Sequence, residues 1–385
     1  MHLNSAPRID IVARMWRPRS SWIPAVFVLT LTASCSGEPD KGGASGSSQI
    51  PQDAGGDTES GVACLDPLAA EVVLPMGKLG GGEFVAYQLS AASSLLFLSS
   101  VGGLYSIPSQ GGPAKPLLED PGIVVPLHFL RSSDLVVTYG SKLLTMSFDG
   151  TRAELPSFGP AQLTPYKTLQ QTIDAVVEDG FLYGRGKTYS PEASILFRHN
   201  LATGEQQTLG STTQEERFIG KAGDWIATAR KSAEGIIRVM KTPLQGGDAV
   251  ELKTPWAFKQ MDAPGAIGSD LYLHASEGEP GSAAPGRLIR VPVDDPTKSA
   301  DLGQAEWVSP FAGTVSAAKA SRGVVITVLN ALYFVEDGSS SAKKFAELCT
   351  ADYTYGVAAA YGDYAYVGVQ RISDDEGGVI RIPIP

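Results

Sequence analysis

From residue 65 to the end of the chain, apolar residues fall in short runs with no sustained helical period, which predicts strands throughout. The runs come in pairs. The first of each pair begins at Leu95, Leu135, Phe181, Trp225, Leu271, Val324 and Tyr364, and all but Leu95 directly follow a Gly or an Asp. The second begins at Leu104, Leu143, Ile195, Ile236, Leu288, Leu332 and Val379. Turn residues follow most second runs, as at Gln110-Gly111-Gly112, Asp149-Gly150, Gln245-Gly246-Gly247 and Asp337-Gly338. A third apolar run then closes the unit, for example Pro116-Leu117-Leu118 or Val250-Glu251-Leu252. Hairpins with Gly-bearing turns at this regularity are an all-β signature.

Seven such units of about 45 residues, each worth three or four strands, predict a seven-bladed β-propeller. A four-stranded blade cannot bury both of its faces alone, so the units must stack on one another and the ring must close. The last unit, ending V-I-R-I-P-I-P, lacks a third run. Glu71-Val72-Val73-Leu74-Pro75 resembles the third runs and precedes the first unit, so this N-terminal strand is expected to close the last blade. The propeller is assigned to residues 63–385.

Two further segments precede it. Residues 1–34 read as an export signal: Arg8, Arg14, Arg17 and Arg19 are followed by the apolar stretch Trp22–Thr32, about half the length of a spanning helix. Met15 would begin a tidier signal than Met1. The signal ends in Leu31-Thr32-Ala33-Ser34-Cys35, which resembles a bacterial lipobox with Thr32 where Leu is usual. The resemblance makes Cys35 the lipid attachment site, and Ser36 after it implies sorting to the outer membrane. Residues 35–62 form a flexible linker, since a Gly/Ser/acid-rich stretch cannot repay the entropy of ordering. Its root-mean-square span would be about 25–30 Å. Cys64 and Cys349 remain, one near each end of the folded region. In an exported chain they are expected to be bridged, for a chain-entropy gain of about 5 kcal/mol.

Charge and chemistry narrow the function mostly by exclusion. The 385 residues carry a formal net charge of -10, and no Lys/Arg run occurs after residue 19, which argues against nucleic acid as a partner. Gly184-Arg185-Gly186-Lys187-Thr188 lacks the first glycine and the following helix of a phosphate loop. Gly278–Gly286 reads as a Gly/Pro-rich surface insertion, and Asp374-Asp375-Glu376 lacks calcium-loop spacing. His128, His199 and His274 fall in three different units, so no metal site, cofactor or catalytic set is expected. His128 is expected on the innermost strand of a blade, which makes it the first residue to inspect for a role in the central channel. Trp225, Trp256 and Trp307 are expected to serve blade packing.

The L-Y-x-x-P-x-x-G-G and I-x-R-V-P units resemble those of exported bacterial β-propeller proteins, including TolB-like and lyase-like propellers, and distantly the Y-W-T-D propellers. The resemblance covers residues 65–385 and implies fold rather than activity. The reading that follows is a surface-tethered, non-enzymatic binding or scaffolding propeller of the cell envelope. It would be held to the membrane by its lipid and take a protein, peptide or glycan ligand. The alternative is an envelope lyase or hydrolase with its site at the channel mouth.

Overall fold

The computed structural model describes residues 65–67, 70–79, 84, 86–100, 103–119, 125–139, 142–158, 161–163, 175–189, 192–213, 216–279, 285–305, 315–348, 352–371, 373 and 376–385. They form seven antiparallel sheets and a single 3-10 turn. Cys35, Cys64, Cys349, Asp374, Asp375 and Trp307 lie outside the described residues.

Each sheet is one blade, with its strands in chain order from the axis outward except in blade 7, whose outermost strand comes from the N-terminal side. The innermost strands of blades 1, 2, 4, 5, 6 and 7 are Gln88–Ala92, Leu127–Leu130, Arg217–Ala222, Gln260–Ile267, Val315–Ala320 and Tyr353–Tyr361. Blade 3 has two innermost pieces, Ala161–Leu163 and Ala175–Glu178, both paired with its second strand Phe181–Tyr189. Neighbouring innermost strands touch all the way round, and blade 7 returns to blade 1. The outermost strand of blade 7 is Glu71–Gly77, antiparallel to the final strand Gly377–Pro383. The ring is therefore closed by the N-terminal segment.

There is no central core. The buried apolar residues form seven clusters, and each lies between two adjacent blades. In blade 6, Val324, Ile326 and Val328 face blade 5 while Val325 between them faces blade 7. In blade 1, Leu96 and Leu98 face blade 7 and Phe97 faces blade 2. Alternate side chains thus serve opposite neighbours, which is why second strands read as unbroken apolar runs.

The connections divide between two faces. On one face, which we call the turn face, first and second strands are mostly joined by two-residue turns such as Ser93-Ser94, Asp179-Gly180, Gly223-Asp224 and Gly362-Asp363. Both φ values are positive at Ser93-Ser94 and at Asp179-Gly180, the hairpin geometry that matches strand twist. Turns between third and outermost strands share this face and tie blades together. The amides of Gly112, Gly247 and Ala342 donate to the carbonyls of Val73, Leu209 and Leu302 on the outermost strand of the preceding blade. The recurring basic residue of the third strands is a second tie. Arg198, Lys241 and Arg381 lie over the rings of Phe181, Trp225 and Tyr364 in their own blades. Each also donates to a turn carbonyl of the next blade: Leu244, Val293 or Ser109. In blade 5 Asp270 stands where the aromatic would be and interacts with Arg290 instead.

The other face, the loop face, carries the second-to-third connections and the crossings to the next blade. These differ widely. They run from two residues at 329–330 to the segment between Glu277 and Gly286.

Candidate functional site

The three described histidines are buried within blades or their seams, with relative exposures of 0%, 0% and 1% for His128, His199 and His274. His128 sits on the innermost strand of blade 2, and its ring turns into the seam with blade 1. Ser90 Oγ lies 2.8 Å from Nε2 and Ser99 Oγ 2.7 Å from Nδ1. Its backbone amide donates to Gln88 Oε1 at 2.9 Å, and Gln88 Nε2 donates back to its carbonyl. A neutral imidazole donates from one nitrogen and accepts at the other, so both ring atoms are satisfied without charge. Burial pulls the His128 pKa down to about 3. His199 faces the Pro156 carbonyl at 3.3 Å across the seam between blades 2 and 3. His274 lies against Gly286, where a Cβ would stand 2.5 Å from Nε2. Among the described residues no imidazole opens onto a channel mouth.

The other residues singled out from the sequence are dispersed. Arg185, Gly186 and Lys187 belong to the second strand of blade 3, not to a phosphate loop. Trp225 donates from Nε1 to Asp294 at 3.3 Å on the turn face, and Trp256 stacks on Phe258 at an interplanar angle of 22°. Glu376 pairs with Arg371 at 2.6 Å. Among the described residues no three His, Cys, Asp or Glu side chains converge as metal ligands.

The structure instead assembles a charged cluster that local sequence does not reveal, at the loop-face mouth of blades 3 to 5. Its centre is Glu216, which is 1% exposed and immediately precedes the innermost strand of blade 4. Thr228 donates to Oε1, while Arg230 donates to Oε2 from Nε at 3.0 Å and from Nη2 at 2.8 Å. The Thr213 amide points at the same oxygen from 3.3 Å. Arg185 reaches across from blade 3 to the Glu216 carbonyl. Beside it, Arg217 pairs with Asp262 of blade 5 at 3.4 Å. Burial raises the pKa of Asp262, and the Arg217 charge opposes the shift. Among the described residues the buried apolar cluster of this seam is small, Tyr183, Leu196, Leu209, Phe218, Ile226 and Leu244 with Val176 and Phe181 packed against it, so polar contacts carry a share of the join between blades 3 and 4.

That share is measurable. Arg230→Ala would strand a buried carboxylate, at a cost of about 3–5 kcal/mol. Adding Glu216→Gln to Arg230→Ala should recover much of the loss in a denaturant titration. Equal stabilities of the single and double variants would mean that Glu216 is not held by Arg230.

No family model matches the sequence, and no curated protein matches it. Solved structures do. Oligogalacturonate lyase from Vibrio parahaemolyticus is 9% identical with a TM-score of 0.51, over 81% of this chain and 91% of that one. PorZ, a surface component of the type-IX secretion system of Porphyromonas gingivalis, is 14% identical with a TM-score of 0.46, over 81% of this chain. TolB from Acinetobacter baumannii is 8% identical with a TM-score of 0.40, over 78% of this chain. The chain spans 39% of the length of that PorZ chain and 62% of that TolB chain. At such identities the likeness is one of fold alone: the chain is a seven-bladed β-propeller.

Proposed function

We propose that the protein is an exported, lipid-anchored, non-enzymatic propeller that binds a macromolecular ligand on its loop face. The observation that carries this reading is the contrast between the two faces. Several turn-face connections tie blades together, whereas loop-face connections differ in length from blade to blade, and the Arg185–Glu216–Asp262 cluster lies at their end of the ring. Binding residues are disproportionately found on variable loops held by a rigid scaffold. The buried histidines add support, because the imidazole that a channel-mouth lyase or hydrolase would call on is committed to packing.

The test uses the full chain in its native envelope. A photo-crosslinking residue placed at Lys231, exposed on the loop face, is expected to trap the ligand. The same residue at Gln110 or Asp248, exposed on the turn face, is expected to trap nothing. The reverse pattern would overturn the proposal.

The anchor and the bridge form part of the same proposal. Leu65 lies parallel to Leu348, just beyond the outermost strand of blade 6, so the chain positions beside Cys64 and Cys349 are neighbours. The intact mass of the mature protein reads both features. It should correspond to a chain beginning at an acylated Cys35 and two hydrogens lighter than the dithiol form. An unmodified N-terminus would remove the anchor, and a mass unchanged on reduction would remove the bridge.

A further inference from the structure

Charge is unevenly placed around the loop-face mouth. The innermost strands of blades 1, 2, 5 and 6 begin there with Gln88, Leu127, Gln260 and Val315, none of them charged. Blades 3 and 4 bring three guanidinium groups together, Arg185, Arg217 and Arg230, against the carboxylates of Glu216 and Asp262 in a chain of net charge -10. One carboxylate is sealed inside: Glu216 is 1% exposed, while the Arg217 side chain is 61% exposed and that of Arg230 36%. What faces solvent is therefore more positive than the residue count suggests. Arg230 is held in place through Nε and Nη2, which leaves Nη1 open among the described residues. A guanidinium fixed in this way loses little freedom when it meets a planar anion.

We propose that this mouth seats an acidic peptide segment of a partner protein, with its carboxylates against Arg217 and Arg230. The inference rests on the loop-face binding reading and names the partner chemistry for it. Charge complementarity points to a carboxylate-bearing ligand. Among the described residues the tryptophans favour a peptide over an acidic sugar, because sugar rings are commonly held against an open aromatic face. Trp225 lies beneath Lys241 on the opposite face, and Trp256 is stacked on Phe258.

Fluorescence polarisation with the full chain and a labelled oligoglutamate peptide tests this. Binding is expected to weaken on the order of tenfold in Arg217→Glu and to fall with added salt. Lys253→Glu makes the same charge change at another exposed position, just past the outermost strand of blade 4, and should have little effect. Arg217→Gln, which removes the charge without reversing it, should fall between them. Matching thermal melts would show that the variants are folded. No binding of oligoglutamate, equal losses in Arg217→Glu and Lys253→Glu, or tighter binding of oligogalacturonate than of the peptide would each overturn the proposal. A partner trapped from Lys231 that is indifferent to Arg217→Glu would leave the loop-face reading standing and remove only the acidic-peptide assignment.

Discussion

Deleting residues 65–77 is expected to leave a chain that no longer reaches a monomeric, cooperatively melting state. The deletion removes the outermost strand of blade 7 and its pairing from Glu71–Arg381 to Gly77–Gly377. Val73 and Leu74, 1% and 7% exposed, leave the cluster between blades 7 and 1. Burial of two such side chains alone is worth about 3–6 kcal/mol. The carbonyl of Val73 also accepts from Gly112 of blade 1, so the loss reaches past its own blade. Set against a typical stability of about 5–15 kcal/mol, the deletion should cost most of the fold. It also exposes an unpaired strand edge, which favours association. Size-exclusion chromatography with a far-ultraviolet melt reads the outcome, and a synthetic peptide of residues 65–77 added in trans should restore the melt. A stable monomer without the segment would mean that the ring does not depend on this strand. Leu74→Ala is the milder form, expected to cost about 2–5 kcal/mol with the fold retained.

The second large effect is acid sensitivity set by His128. The ring is neutral when folded, with a pKa of about 3, and an unfolded histidine takes its proton near 6.5. Between these values the unfolded chain binds more protons than the native one, so stability rises with pH across the window. The contribution is whole above pH 6.5 and drains as the pH falls towards 3. It amounts to about 1.4 kcal/mol per pH unit, or about 3 kcal/mol lost by pH 4. Side chains meeting the ring and backbone of His128 from blade 1 are Ser90, Ser99 and Gln88, none of which carries a charge to offset the imidazolium. His199, whose pKa burial also lowers, adds in the same direction. The comparison of interest is therefore between the wild type and His128→Gln. Chemical denaturation at pH 7 and pH 4 should show a smaller acid loss in the variant, which is itself weaker at pH 7. Identical pH dependence in both proteins would refute the assignment.

How much of this molecule could be read along the chain follows from the range over which each feature is specified. The second strands were legible because both of their faces are covered, so Leu95–Leu98 and Val324–Ile326 show as unbroken apolar runs. The hairpin turns were legible because residues such as Gly223-Asp224 and Gly362-Asp363 suit a turn with positive φ. The closing strand was legible as a missing third run at one terminus and a spare one at the other. His128 was correctly put on an innermost strand, but the direction of its ring was set by Ser90 and Ser99, which lie 38 and 29 residues away. The Arg185–Glu216 contact spans 31 residues and Arg217–Asp262 spans 45, each close to one blade. The divided innermost strand of blade 3 left no mark in the periodicity either. Local hydrophobic spacing records that a face must be buried and where the chain must turn, and this determined the strands, the blade count and the closure. Which neighbour covers a face, and which charges meet there, is fixed only when the ring closes and residues one blade apart come into contact, and that was left to the tertiary structure.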